Sequence, residues 1–116
     1  MKSTHDVIQN HLKCFGEGDL AGILDDYAPQ AVLFTPHGPL RGVHQIRGLF
    51  EAMLAEFGQP GSVFTLGPCH VHGEHGYIVW SAETPDRRYE LGTDTFVVRG
   101  GRIQAQSFAA HTTAKR

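Results

Sequence analysis

An aspartate in the segment ELGTDTFVVRGGRI, residues 90–103, is the residue of this chain whose type and position most demand a chemical explanation. The paired glycines of RGGR predict a hairpin turn, so the residues before them form a strand, and alternation puts Asp94, Phe96 and Val98 on one face. A carboxyl buried among such neighbours costs several kcal/mol unless it is protonated or paired. That points to a site in which Asp94 moves a proton or donates a hydrogen bond. Two other arrangements stay open: the face of Thr93, Thr95 and Val97 is the buried one, or Asp94 pairs with a cation such as Arg41.

His11 is the second candidate. It falls on the apolar stripe of a helix beside Ile8, Leu12 and Phe15, where an imidazole is either a core residue satisfied by a backbone carbonyl or a group lining a pocket. With Asp94 it supports two chemistries: a carboxylate that orients an imidazole base, or two donors converging on one ligand oxygen. The segment HVHGEHG brings His70, His72 and His75 close in sequence, but His75 belongs to a turn and nothing completes a ligand set, so no metal site is expected. Cys14 and Cys69 lack the spacing of a zinc motif or a disulfide framework and read as reduced thiols.

These residues need elements to hold them. Ser3 or Thr4 caps a first helix, broken by GEGDL. Asp19 caps a second, with Leu20, Ile23, Leu24 and Tyr27 at helical spacing and Pro29 closing it. AVLFTP, residues 31–36, is a short strand, and HGPLRG is a turn-rich connection to a third helix over 44–57 with the stripe Ile46, Leu49, Phe50, Met53, Leu54 and Phe57. Strands follow at 62–72, with a bend at Gly67-Pro68, then 75–84, 87–98 and 101–110. Helices segregated ahead of such a meander predict an α+β architecture in which a curved antiparallel sheet wraps the long helix. Tyr27, Phe34, Phe50, Met53, Phe64, Trp80 and Phe108 are the side chains expected to line a pocket between sheet and helices.

The 116 residues suit one domain spanning the chain, and a composition 41% hydrophobic and 19% charged is that of a globular protein. A formal net charge of −2 gives no footprint for nucleic acid or an anionic membrane. No apolar run approaches the roughly 20 residues that cross a bilayer, and MKSTHDVIQN lacks a secretory apolar core, so the expected location is cytoplasmic.

The order GDLAGILDDYAP, AVLFTPHGPLRG, third helix, DTFVVRGGRIQAQSF resembles the nuclear transport factor 2-like superfamily, which includes SnoaL-like polyketide cyclases and Δ5-3-ketosteroid isomerases. The parts that carry it are Gly18-Asp19-Leu20, residues 28–38, and Asp94-Thr95-Phe96. The resemblance implies a cone-shaped, cystatin-like fold of three N-terminal helices on a curved sheet. The ketosteroid isomerase pattern lies over residues 7–38 without a gap. It implies that Asp94 stands where that family keeps a protonated aspartic acid that donates a hydrogen bond to the dienolate oxygen. His11 stands at the oxyanion-hole tyrosine, and Thr35 at the aspartate general base. A threonine hydroxyl cannot serve as that base, so ketosteroid isomerization proper is not expected, and His37, two residues on, approaches the same place only if Pro36 does not turn the backbone.

Two functions are compatible with these residues. One is a cofactor-free, metal-free isomerase, cyclase or hydratase acting on a small apolar molecule that bears a carbonyl or hydroxyl, with Asp94 and His11 as acid–base or oxyanion groups and Thr35 and His37 as orienters. The other is a binding or structural module whose pocket holds a ligand without chemistry or is filled by side chains. The resemblance also implies a homodimer formed through the outer face of the sheet, for which Val71, Ile78, Trp80, Val97 and Ile103 are the apolar strand residues available.

Overall fold

The computed structural model describes residues 2–115, which form three helices and one six-stranded sheet. Helix α1, Thr4–Glu17, starts with a capping box: the Ser3 hydroxyl accepts from the Asp6 backbone N–H at 3.0 Å and the Asp6 carboxylate accepts from that of Ser3. It ends at Gly18, whose φ of 69° is the left-handed conformation glycine supplies without strain. Asp19 then caps α2, Leu20–Asp25, by accepting from the Gly22 N–H at 3.0 Å. Helix α3, Gly42–Phe57, is the longest and buries Ile46 and Phe50 against the sheet.

The strands are β1 Tyr27–Thr35, β2 Gly38–Arg41, β3 Val63–His72, β4 His75–Glu83, β5 Arg87–Arg99 and β6 Arg102–Ala114, in the spatial order β2-β1-β6-β5-β4-β3. From β3 to β6 they form the expected meander. The hairpin glycines 100 and 101, at φ 63° and 75°, give the turn whose twist matches paired strands. Register shifts between Leu66 and Cys69, Trp80 and Ala82, Tyr89 and Leu91, and Val97 and Val98 bend the sheet, the first at the predicted Gly67-Pro68. The helices cover one face of this curve.

Three expectations are corrected here. Tyr27 does not continue α2, which ends at Asp25; it opens β1. The Asp26 carbonyl accepts from the Ile103 N–H at 2.7 Å, and its buried carboxylate takes both contacts of the Asn10 amide, so long-range pairing draws the chain into the sheet. Nor is the sheet wholly antiparallel, because β1 runs parallel to β6. HGPLRG also holds more structure than a connection, since β2 pairs back on β1 through the two-residue turn Pro36-His37.

The outer face is uncovered among the described residues. Ile78, Trp80 and Ile103 are buried core residues, and it is Phe34, Val63, Tyr77, Leu91 and Val97 that face outward, Phe34 and Leu91 each 51% exposed. No helix of the described residues is long and apolar enough to cross a membrane.

Candidate active site

Strand alternation places Asp94 on the inner face, in the middle of the sheet, where it is 9% exposed. Its β4 neighbour Ile78 and its β6 neighbour Phe108 are apolar. Trp80 lies flat over Gly92, the one residue type that leaves room for an indole there. From that seat its Nε1 donates to Asp94 Oδ1 at 2.8 Å. From the other side Gln106 Nε2 donates to Oδ2, also at 2.8 Å, and the Gln106 carbonyl oxygen accepts from the Tyr27 hydroxyl. Tyr27, Gln106, Asp94 and Trp80 thus form one buried chain of hydrogen bonds across four strands.

The cavity in front of Asp94 lies between the sheet, α1 and α3. His11, Leu12 and Phe15 come from α1, and Leu49, Phe50, Met53 and Phe57 from α3. The sheet contributes Trp80, Phe108, Phe64 and apolar neighbours, and Asp94 and Gln106 as its polar groups. Trp80 and Phe108 lie parallel within 8°, a flat aromatic floor beside the carboxylate. Among the lining rings, Phe15 packs edge to face on Phe57 at 5.2 Å. Glu56 holds the end of α3 to the sheet, accepting from the Thr84 and Tyr89 hydroxyls at 2.7 and 2.9 Å and pairing with Arg87 at 3.2 Å. The cavity volume is about 40 Å³. A single water needs roughly 10–15 Å³ on this measure, so the space is that of a few waters.

His11 is caged by the edges and faces of Tyr27, Phe50 and Phe96, with ring centroids 5.5–5.8 Å away. Its Nδ1 is buried with no hydrogen-bond partner among the described residues. Burial without a compensating acceptor pushes its pKa down to about 4, so it is a neutral imidazole at pH 7. Asp94 moves the other way. Burial raises its pKa to about 6, the donations from Trp80 and Gln106 opposing part of that rise.

These opposite shifts set opposite pH slopes. Between about pH 4 and 6 the folded chain holds the Asp94 proton more tightly than the unfolded chain does, so Asp94 contributes stability that is lost as pH rises through 6. His11 binds its proton less tightly when folded, so its contribution is lost as pH falls from 6.5 towards 4. Each group's contribution is on the order of 3 kcal/mol, and over the shared window they cancel. Urea denaturation from pH 4 to 7 should therefore show little slope from this pair in the wild type. Asp94→Asn should lose stability on acidification, and His11→Phe on alkalinization; parallel profiles in all three proteins would contradict the assignment.

The structure brings together Asp94, His11, Phe50, Met53, Phe64, Trp80 and Phe108 around one cavity, and leaves out four residues expected there. Tyr27 is buried behind Gln106 and does not border the space. Phe34 faces outward on β1 because its neighbour Leu33 takes the inner position. Thr35 accepts from the His37 N–H at 3.1 Å and donates to the Gly38 carbonyl, closing the β1–β2 turn, and His37 is exposed at its tip. Neither borders the cavity.

His11 and Asp94 share no hydrogen bond, so the orienting-carboxylate arrangement is not formed. Arg41 is exposed and its backbone N–H donates to Gln45; Asp94 has no cationic partner among the described residues. His70, His72 and His75 are exposed, and no three metal-ligating side chains converge among the described residues. The residue that sequence reasoning missed is Gln106. The signal was there: QAQSF puts a polar Gln106 on the same face as Phe108, the conflict that singled out Asp94.

The fold and the sequence both place this chain among known proteins. A nuclear transport factor 2-like protein of unknown function from Mesorhizobium loti superposes with a TM-score of 0.79 at 21% identity, over 93% of this chain and 90% of that one. A candidate ketosteroid isomerase from Kribbella flavida gives 0.78 at 11% identity, covering 97% of this chain and 81% of its own. IdmH, a candidate polyketide cyclase from Streptomyces antibioticus, gives 0.75 at 19% identity, over 94% and 92%. At such identities the likeness is one of fold. A search of curated proteins finds no match to the sequence. The model of the SnoaL-like domain matches residues 8–106, from the first helix through Gln106. This chain belongs to the SnoaL-like domain family, on the nuclear transport factor 2-like fold.

Proposed function

We propose that the chain is a cofactor-free acid–base catalyst, of the isomerase, cyclase or hydratase type, for a small and largely apolar molecule bearing a carbonyl or hydroxyl group. One observation carries this reading: a buried carboxyl in an apolar cavity, without a cationic partner among the described residues, with both oxygens held as acceptors by Trp80 and Gln106. With a pKa of about 6 it is ionized at pH 7 and still basic enough to take up a proton. Asp94 removes a proton from the carbon beside a carbonyl, or from a hydroxyl, and returns it elsewhere on the same molecule. His11, a neutral imidazole, donates an N–H to the oxygen on which negative charge develops.

The role of Asp94 here is the reverse of the one that the ketosteroid isomerase resemblance implies. Two N–H donors on its oxygens favour the ionized form over a protonated acid. With Thr35 and His37 turned away at the β1–β2 hairpin, Asp94 is the carboxylate in reach of the cavity, so the base function falls to it. A second reading, a binding or structural module without chemistry, is favoured by the cavity's small volume. Exchange of the α-hydrogens of small ketones and enones for deuterium in D2O separates the two. Protein-dependent exchange lost in Asp94→Asn supports catalysis; a rate equal to that of buffer across the panel supports the module.

The outer sheet face fits a homodimer, because Phe34, Val63, Tyr77, Leu91 and Val97 lie on it and nothing covers it among the described residues. Sedimentation at micromolar concentration should give a dimer that Val97→Glu dissociates. A wild-type monomer under those conditions would remove this proposal. The free thiols of Cys14 and Cys69 suit the reducing cytoplasm proposed as its location.

A further inference from the structure

Gln106 faces two groups with opposite demands, and its amide satisfies both in one orientation only. Asp94 Oδ2 takes a donor, Nε2–H, at 2.8 Å, and the Tyr27 hydroxyl gives its proton to Oε1. Tyr27 and Gln106 are 2% and 3% exposed and Tyr27 does not border the cavity, so water does not substitute for the Tyr27–Gln106 bond. The Tyr27 hydroxyl has no other partner among the described residues. Were the amide turned over, Nε2–H would point at the Tyr27 oxygen, the phenol's own O–H would be stranded, and Asp94 would face a carbonyl oxygen. A buried donor without an acceptor is strongly disfavoured, so Tyr27 pins the amide.

We infer that Tyr27 is a positioning residue: through the amide orientation it imposes on Gln106, it keeps a donor aimed at Asp94 and so keeps Asp94 a proton acceptor. The inference rests on the reading of Asp94 as the base. The consequence is chemical. A carboxylate accepts readily from Nε2–H, whereas a protonated carboxyl gains an additional partner if Oε1 faces it and can accept its O–H. By blocking the second arrangement, Tyr27 withholds that partner from the protonated form.

The other ionizable group facing the cavity is His11 from α1; β4, β6 and α3 present Trp80, Gln106, Phe108 and apolar side chains. Burial holds the Tyr27 phenol well above its usual pKa, so it remains a donor over the whole working range. Among the groups facing the cavity, Asp94 alone therefore changes charge near neutral pH. A shift in Asp94 on altering Tyr27 reports on hydrogen bonding.

The test reads the Asp94 carboxyl directly, from the pH dependence of its ¹³C resonance, in wild type, Tyr27→Phe, Gln106→Met and the double variant. Tyr27→Phe keeps the ring and removes one oxygen that does not touch Asp94. It is expected to raise the Asp94 pKa by about one unit, because the released amide can then accept from the protonated carboxyl. Gln106→Met should also raise it by removing a donor. In the Gln106→Met background, Tyr27→Phe should add nothing, since Tyr27 acts through the amide.

An unchanged Asp94 pKa in Tyr27→Phe overturns the inference, and so does an equal shift with and without Gln106. Should Gln106→Met not fold, the side-chain amide resonances of Gln106 in Tyr27→Phe decide: they should move as Asp94 titrates, through exchange between the two amide orientations. Amide resonances that stay in the wild-type orientation at every pH overturn it equally. None of these readings depends on turnover. An inactive protein with the predicted shifts would sink the catalytic reading and leave the positioning intact.

Discussion

Asp94→Asn is expected to lower turnover of any ketone or enone that the cavity accepts by about 100- to 10,000-fold, the usual size of a general base's contribution. It should do so in a protein that remains folded. At pH 8 the substitution removes a desolvated charge whose raised pKa corresponds to about 3 kcal/mol of lost stability. Against this it sacrifices one hydrogen bond. The asparagine oxygen still accepts from Trp80, but its NH2 faces the Gln106 NH2, and turning Gln106 over strands the Tyr27 O–H, at about 1–3 kcal/mol. The two effects are similar in size, so stability at pH 8 should lie within about 2 kcal/mol of wild type. Urea unfolding beside a kinetic assay checks both halves. A much larger loss of stability would mark Asp94 as structural.

Gly92→Ala is expected to cost more stability than any other single methyl group in the site. An added Cβ would stand 2.2 Å from Trp80 Cε2 and 2.3 Å from Cζ2, so the indole must leave its seat on the sheet. Overpacking of that kind costs about 1–3 kcal/mol. Moving the ring also stretches its bond to Asp94, and hydrogen bonds to charged groups contribute about 1.5–3 kcal/mol. The sum is a loss of about 2.5–6 kcal/mol, visible as a lower urea midpoint at unchanged slope. Gly48, within α3, has nothing within 4 Å of an added Cβ, so Gly48→Ala should be neutral or stabilizing and serves as the control. If Gly92→Ala proves as stable as Gly48→Ala, Trp80 does not lie over Gly92.

Much of this arrangement was legible in the sequence because alternation and helical periodicity are local. The α1 and α3 stripes, the four-strand meander and the bend at Gly67-Pro68 follow from spacing alone, whereas alternation left two faces open for Asp94 and the packing of Trp80 over Gly92 decides between them. Tyr27 shows where that reasoning ends. Its place seven residues after Leu20 satisfies helical periodicity as well as any position could, yet the Asp26 carbonyl pairs with Ile103 far along the chain, and the strand wins. The parallel contact of β1 with β6 is equally non-local.

Thr35 and His37 lie away from the cavity for a smaller reason. Pro36-His37 forms a two-residue turn, which directs the Thr35 hydroxyl back to its own hairpin. Gln106 was legible and went unread, since the rule that picked out a polar residue on an apolar strand face applies to it as well as to Asp94. The cavity's volume, and which residues border it, depend on rotamers that no spacing encodes.

The proposed function requires that Asp94 and His11 face one cavity able to receive a small carbonyl or phenol. It is tested most directly by a thermal-shift and NMR binding screen of enones, phenols and small steroid- or polyketide-like ligands against wild type, Asp94→Asn and His11→Ala. A small planar ligand should stabilize the wild type, shift resonances of Trp80 and Phe108 at the cavity floor, and lose both effects in the two variants. That would put a ligand oxygen between the carboxylate and the imidazole. No shift with any ligand, in three equally stable proteins, would contradict the account and leave the cone as a closed core.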